Sequence, residues 1–248
     1  MNFITPLLEV AAAHRREKGR PFVTLSYAQS LDGCISAQPG VALALSGRQS
    51  LRLTHKLRAG HDAILVGIGT VLSDNPRLNV RLVDGTNPRP IVVDTNLRLP
   101  LHCNLLTQAS RPLLVATREK PDPKRVRAVE AAVAVVLPLP GTSDGRVDLA
   151  ALLDRLAEMG INTLMVEGGA RIITSFLLEN LADFIVLTIA PVLVGGLRAV
   201  SDLGQGDPTK LLRLEQRGHR WLGEDLILWG HLTTEDSEVS VLASAPGA

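Results

Sequence analysis

Twice in this chain a short apolar run ends in glycine and passes straight into a helical pattern. Ala63-Ile64-Leu65-Val66 leads into Gly67-Ile68-Gly69-Thr70, and Thr163-Leu164-Met165-Val166 leads into Glu167-Gly168-Gly169-Ala170. A strand without polar alternation is one covered on both faces, and a covered strand followed at once by a helix is the repeating unit of a parallel sheet. Ile91-Val92-Val93, Leu113-Leu114-Val115 and Phe184 to Ala190 have the same apolar character, and Phe22 to Ala28 is a β-branched and aromatic run. Between them, helices are predicted from a Ser46-Gly47-Arg48-Gln49 capping box to Gly60, over Arg125 to Ala132, over Leu149 to Met159, and after Gly169 through about Leu178. Two late segments, around Leu211 and from Leu226 to Leu232, read as strands with no helix between them. The expected class is α/β: a mostly parallel central sheet with an antiparallel C-terminal edge and flanking helices.

One domain is expected over residues 21–232. Residues 1–20 read as an N-terminal helix, with Thr5 as cap, Pro6 at the first position, Leu8 and Ala12 on its apolar stripe and Gly19 as its stop. Residues 233–248 are small and polar and read as a flexible tail.

Composition removes several classes of function. Lys and Arg number 26 against 25 Asp and Glu, a net charge of +1, which is too little for a general nucleic-acid binder. Seven aromatic residues are too few for a base-stacking platform. Cys34 and Cys103 stand far apart and form no C-x-x-C pair, so no metal is expected and the expected compartment is the reducing cytoplasm. No apolar stretch reaches eighteen residues, and Met1-Asn2-Phe3 opens no basic leader, so neither a membrane span nor a secretory signal is expected. The six histidines make no H-E-x-x-H, and the chain lacks G-x-S-x-G and G-x-x-x-x-G-K-[ST]. Leu72 stands where a G-x-G-x-x-G would need its third glycine, which disfavours an ordinary Rossmann site.

What remains is a set of individually ambiguous residues. Each glycine turn suits a phosphate at a helix N-terminus, and each taken alone is better explained by the sterics of a tight strand–helix connection. Asp32, Asp74 and Glu167 fall at element edges where a site would form. Asp32 also suits an Asx turn with Gly33, and Asp74 a turn before Pro76. Arg58 and Arg81 would clamp a phosphate, or lie on a solvated face.

Three longer blocks, in order, carry more information. Pro21-Phe22-Val23-Thr24-Leu25-Ser26-Tyr27-Ala28-Gln29-Ser30-Leu31-Asp32-Gly33 resembles the opening of the riboflavin-pathway pyrimidine reductases. His61-Asp62-Ala63-Ile64-Leu65-Val66-Gly67-Ile68-Gly69-Thr70-Val71-Leu72-Ser73-Asp74-Asn75-Pro76 resembles their second block, and Val166-Glu167-Gly168-Gly169 with its helix their third. The resemblance covers roughly residues 21–232. It implies a dihydrofolate-reductase-like fold, NADPH as reductant, and a ribosylamino-pyrimidine 5′-phosphate whose ribosyl group is reduced to ribityl. It implies that Gln29, Thr70, Asp74 and Thr95 line the cofactor, and that Gly168, Gly169, Ala170, Arg171 and Ile172, in the stretch to Ser175, cradle its pyrophosphate. It implies a substrate held by Arg58, Leu78, Arg81 and Glu167. Arg118, after the Leu113 to Thr117 run, is a further expectation for the cofactor's 2′-phosphate.

The resemblance assigns no proton donor; Asp32 and Glu167 are the candidates. Ser26 departs from the lysine that the bifunctional deaminase-reductases usually carry, and the Tyr27 to Asp32 wording is closer to the stand-alone reductases. The substrate is therefore either the 2,5-diamino-pyrimidinone or its deaminated aminouracil. A homodimer is expected, because Phe184 to Ala190 with Pro191-Val192-Leu193-Val194 is longer and more apolar than one sheet edge should expose, and family members commonly pair there. Two other readings stand beside this one: a reductase of pterin- or folate-like rings, which needs no Arg58 and Arg81 pair, and a non-catalytic nucleotide-binding relative.

Overall fold

The computed structural model describes residues 11–107, 110–203 and 211–233. In chain order its elements are α1 (Ala11–Lys18), β1 (Phe22–Ser30), β2 (Cys34–Ser36), α2 (Arg48–Gly60), β3 (Ala63–Gly67), α3 (Ile68–Asp74), β4 (Arg89–Val93), α4 (Asn104–Thr107) and β5 (Leu114–Arg118). They continue as α5 (Pro123–Ala131), β6 (Val135–Leu139), α6 (Leu149–Glu158), β7 (Thr163–Gly168), α7 (Ala170–Leu178), β8 (Phe184–Ala190), β9 (Leu197–Arg198), β10 (Arg213–Leu222) and β11 (Asp225–Thr233). The opening of the N-terminal helix at Thr5, Pro6 and Leu8, and the tail beyond Thr233, lie outside the described residues.

Nine strands form one sheet in the order β10-β11-β8-β1-β7-β3-β4-β5-β6, and β2 with β9 makes a small separate ribbon. From β8 to β6 the strands are parallel; β11 runs antiparallel to β8, and β10 to β11. Because side chains alternate along a strand, Leu65, Leu114 and Ala116 enter one core while Ile64, Val66 and Val115 enter the other. The first core is closed by Leu152, Leu153 and Leu156 of α6 and by Ile173 and Phe176 of α7. The second is closed by Leu53 and Leu57 of α2, Ile68 and Val71 of α3, and Val129 of α5. Leu25, Ile64 and Leu65 are wholly buried, and truncating any one to alanine should cost about 2–5 kcal/mol.

The split of helices follows from handedness. From β1 through β3, β4 and β5 to β6 the chain advances in one direction, with α2, α3 and α5 on one face. It then reverses: α6 returns to place β7 between β1 and β3, and α7 crosses β1 to reach β8, both on the other face. Right-handed crossovers in opposite directions require opposite faces. The reversal falls between β3 and β7, and in open α/β sheets the crevice at such a point, outside the carboxyl ends of the strands, is where ligands bind.

Several expectations are corrected. The capping box does not form: Gly47 is the N-cap of α2 and no side chain caps it. Instead the buried Asp225 carboxylate, at the start of β11, accepts the Gly47 N–H at 2.7 Å and the Ser50 hydroxyl. Phe184 to Ala190 is not an exposed edge, since β8 pairs with β1 on one side and β11 on the other. The late strand expected around Leu211 begins at Arg213, and β5 starts at Leu114 and runs on to Arg118. Strands β2, β6 and β9 were not anticipated. No helix among the described residues is long and apolar enough to cross a membrane.

Candidate active site

The two glycine turns come to lie against each other because β3 and β7 are neighbours, with Val66 opposite Gly168. Gly168 has φ +110° and Gly169 φ +26°, backbone conformations that residues with a Cβ rarely adopt. A Cβ on Gly169 would sit 3.1 Å from Thr70 Oγ1, and one on Gly67 would meet Ile172 Cγ1 at 2.8 Å. Helix α7 therefore starts at the floor of the crevice. Its N-cap, Gly169, provides no side-chain acceptor, so the first backbone N–H groups of α7 face the crevice without a cap. These features fit a nucleotide pyrophosphate: bare N–H groups, the positive end of a helix, and no Cβ in the way.

Of the cofactor residues expected from the sequence, the structure brings Thr70 into contact with the Gly168–Gly169 turn, and Ala170 opens α7. Ile172 packs against Gly67, and Arg171 is exposed. Gln29 and Thr95 lie at the carboxyl ends of β1 and β4, half-buried, and Thr95 is held by a hydrogen bond from Thr117 Oγ1 to its carbonyl at 3.1 Å. Asp74 is exposed at the end of α3 and accepts the Ser73 hydroxyl. Arg118 ends β5, exposed, with β4 between it and β3.

Beside the turns, Arg58 and Glu167 form a bidentate pair, Nε to Oε1 at 2.6 Å and Nη2 to Oε2 at 2.7 Å. Their side chains are only 11% and 14% exposed. Burial works against the Arg58 charge, but the Glu167 carboxylate outweighs it and raises the guanidinium's pKa. The remaining Nη1 donates to the Asn79 carbonyl at 3.0 Å. Arg58 is thus occupied by Glu167 and Asn79, rather than paired with Arg81 around an open space.

Arg58 nevertheless forms one wall of a cleft of about 330 Å³, whose other walls include Asn75, Arg77, Leu78, Arg81 and Asn104. Leu78 is buried with φ +49°, and Asn75 ends α3 with φ +42°. Asn104 fixes this loop: its N–H donates to Asn75 Oδ1 at 2.8 Å and its amide to the Asn75 carbonyl at 2.6 Å. Arg81 is exposed, its Nη1 donating to Asn79 Oδ1 at 3.1 Å and its pKa lowered first by partial burial and then by the charges of Arg58 and Arg77. Three guanidinium groups against one carboxylate leave the cleft strongly cationic. Asn75, Arg77 and Asn104 were missed as site residues. Arg77 looks in sequence like any surface arginine, and nothing local connects Asn104 to Asn75.

The two candidate proton donors are both built as acceptors. Asp32 accepts the Ser30 hydroxyl, the Gly195 N–H at 2.6 Å and the Val194 N–H at 3.1 Å, which hold its carboxyl well below the usual carboxylate range. It ties the β1–β2 turn to the loop after β8 and has no proton to give near neutral pH. Both Glu167 oxygens accept from Arg58. Among the described residues no group of three or more His, Cys, Asp or Glu is arranged to hold a metal.

Comparison with known proteins identifies the family. A family profile described as the RibD C-terminal domain matches residues 21–228. The chain is 42% identical over 215 residues to the 2,5-diamino-6-ribosylamino-4(3H)-pyrimidinone 5′-phosphate reductase of Methanothermobacter thermautotrophicus, covering 84% of this chain and 97% of that protein. The enzyme of the same name from Archaeoglobus fulgidus is 41% identical over 187 residues, with 71% and 83% covered. Among solved structures, the Saccharomyces cerevisiae riboflavin biosynthesis reductase superposes with a TM-score of 0.68 at 30% identity, over 86% of this chain and 90% of that one. Dihydrofolate reductase from Enterococcus faecalis shares the fold alone, with a TM-score of 0.50, 12% identity, and 85% and 96% of the two chains covered. The chain belongs to the RibD C-terminal domain family, the pyrimidine reductases of riboflavin biosynthesis, on a dihydrofolate-reductase-like fold.

Proposed function

We propose that this chain is an NADPH-dependent reductase of a ribosylaminopyrimidine 5′-phosphate, with the 2,5-diamino-pyrimidinone rather than the deaminated aminouracil as its substrate. The observation that carries the reading is the cationic cleft of Arg58, Arg77 and Arg81 opening beside the two abutting glycine turns. One feature suits a sugar phosphate, the other a dinucleotide. The choice of substrate rests on likeness: two reductases named for the diamino-pyrimidinone are 42% and 41% identical to the chain, against 36% for the RibD protein of Aquifex aeolicus. A pterin-like ring would leave Arg77 and Arg81 with no anion to meet.

In this reading NADPH, when bound, supplies the hydride, and the acceptor is the imine carbon exposed when the ribose ring opens. The protein orients and neutralises. The first N–H groups of α7 and the Gly168–Gly169 backbone hold the pyrophosphate, with Thr70 beside them, while Gln29, Asp74 and Thr95 line the rest of the cofactor. Arg118 meets the 2′-phosphate. Arg81 and Arg77 take the substrate phosphate, and Leu78 packs against the substrate. Arg58 fixes the Glu167 carboxylate, whose remaining lone pairs accept the pyrimidine's N–H groups. Asp32 and Glu167 both being acceptors, the proton comes from solvent.

The test is NADPH oxidation followed by absorbance, with the two pyrimidine phosphates side by side. Turnover of the diamino compound with a strong preference for NADPH over NADH is expected; equal kcat/KM for the two cofactors would remove the Arg118 assignment. The protein is further proposed to be cytoplasmic and to act as a homodimer. Support for pairing comes from Leu31, Val192 and Leu193, which are 61%, 45% and 76% exposed and adjoin one another through the Leu31 N–H to Val192 carbonyl bond. Sedimentation of a monomer at micromolar concentration would overturn the dimer.

A further inference from the structure

We infer that His55 is a positioning residue of this site: a neutral acceptor on α2 that fixes the backbone of Arg81 and so aims its guanidinium into the cleft. The inference rests on the proposed reading of Arg81 as a phosphate ligand.

One face of α2 carries His55, Arg58 and Ala59, at the i, i+3 and i+4 spacing that puts side chains together. The segment 79–85 is pressed against that face at three points. Arg58 Nη1 donates to the Asn79 carbonyl at 3.0 Å, and the Arg81 N–H donates to His55 Nδ1 at 3.0 Å. At Gly85 the approach is so close that a Cβ would lie 2.5 Å from that of Ala59. Between the first two points, the Val80 N–H is held by Asn87 Oδ1 at 2.7 Å. Three consecutive residues, ending with Arg81, thus have a backbone group fixed by a side chain.

The state of the imidazole follows from the bond it makes. Nδ1 accepts, so the ring is neutral and carries its proton on Nε2. The ring is 1% exposed, and Nε2 has no hydrogen-bond partner among the described residues. For burial alone, a leucine of similar bulk would serve the core better than a ring with one nitrogen unpaired. What the imidazole adds is the bond to Arg81. Neutrality is favoured first by burial and then by the facing charges of Arg58 and Arg81, opposed by Glu167, which together bring its pKa down to about 4. A carboxylate in its place would also accept, but it would compete with Glu167 for Arg58 and draw the Arg81 side chain back from the cleft. A neutral acceptor avoids both.

The experiment is steady-state kinetics of H55N, H55Q, H55L and R81A with the phosphorylated and dephosphorylated diamino-pyrimidinone, at saturating NADPH. Asparagine places its amide oxygen near the position of Nδ1; glutamine places its amide one bond further, near Nε2. The expected result is a KM for the phosphorylated substrate raised about 2- to 12-fold in H55Q and H55L, the span of one neutral hydrogen bond. H55N should recover most of the wild-type value, and kcat and the rate on the dephosphorylated compound should hold. If H55L does not fold, the contrast between asparagine and glutamine still decides. Equal KM values for H55N and H55Q, or a loss shared by both substrate forms, would overturn the role of His55. An R81A loss confined to the phosphorylated substrate beside an unaffected H55Q would overturn this inference alone, whereas an R81A loss shared by both forms would bring down the phosphate reading and this inference with it.

Discussion

At the amino ends of the central strands Arg20 and Asp183 form a bidentate pair; at the carboxyl ends Arg58 and Glu167 form another. Locally the two are near copies. Arg20 meets Asp183 at 2.8 Å through both nitrogens, and the two side chains are 17% and 15% exposed, against 11% and 14% for the second pair. Their surroundings differ. Asp183 also accepts the Val23 N–H at 2.8 Å, and His14 lies 3.5 Å away, its pKa lowered by burial and only partly restored by the Asp183 charge. The charges acting on His14 there balance, Asp183 and Glu17 against Arg20 and Lys18. Around Arg58 and Glu167 the added charges are Arg77 and Arg81, both cationic, beside an open cleft. The same ion pair is a fastener where its charges cancel and, in the proposed reading, part of an anion site where a surplus is left over.

The largest expected effect tests whether the two pairs are equally structural. Asp183→Ala and Arg58→Ala each strand a mostly buried charge and should each cost about 3–5 kcal/mol of stability. Thermal melts should register this at about 2–4 °C per kcal/mol. Only Arg58→Ala should also lower kcat/KM per folded molecule. If Asp183→Ala does so equally, the contrast between the two ends fails.

Next in size is Arg81→Ala, which removes surplus charge without touching either pair. It should lose about 1.5–3 kcal/mol of binding to the phosphorylated substrate, or roughly 10- to 150-fold in kcat/KM. The melting midpoint should stay in place, and a drop would mean that Arg81 is a structural residue.

Acid sharpens the comparison further. His55 has a folded-state pKa of about 4 against an ordinary 6.5, so its neutral form stabilises the fold above about pH 6.5. That contribution is lost as the pH falls from 6.5 towards 4. Urea unfolding at pH 7 and pH 4.5 should show the wild type losing on the order of 2 kcal/mol more than His55→Asn. Parallel losses would mean that the burden of acid falls elsewhere, at His14 or the buried His61, whose pKa values are also lowered chiefly by burial.

The smallest effect belongs to Arg77→Ala. This arginine is exposed and solvated, and its removal should reduce kcat/KM on the phosphorylated substrate by about two- to fivefold, the range of an exposed ion pair. A loss as large as that of Arg81→Ala would make the two equal partners.

What the sequence revealed follows the same division. The strands at the centre, β3 and β7, were legible because coverage on both faces demands an apolar run, and their glycine turns because the chain must change direction at once. Strand β6 was not, since Pro138 argues against a strand; it is tolerated there because β6 forms the sheet's edge. The resemblance gave both Arg58 and Glu167 but not their bond, which joins residues 109 positions apart. Nor did it reveal that Asp32, which stands beside Gly33 in sequence, spends its carboxylate on a loop more than 160 residues away.

The Asp225 carboxylate that grips Gly47 and Ser50 adds a timetable. The helix bearing His55 and Arg58 has its first turn secured by a residue 175 positions later than Ser50. A ribosome adding about 5–20 residues per second needs roughly 9–35 s to cover that stretch. During that interval the emerging polypeptide can assemble β3, β4 and β5 while the helix beside them still lacks its anchor. The arginine-bearing wall of the cleft is therefore finished only after the closing hairpin has been made, so a nascent chain halted before Asp225 should have its central strands and an incomplete site.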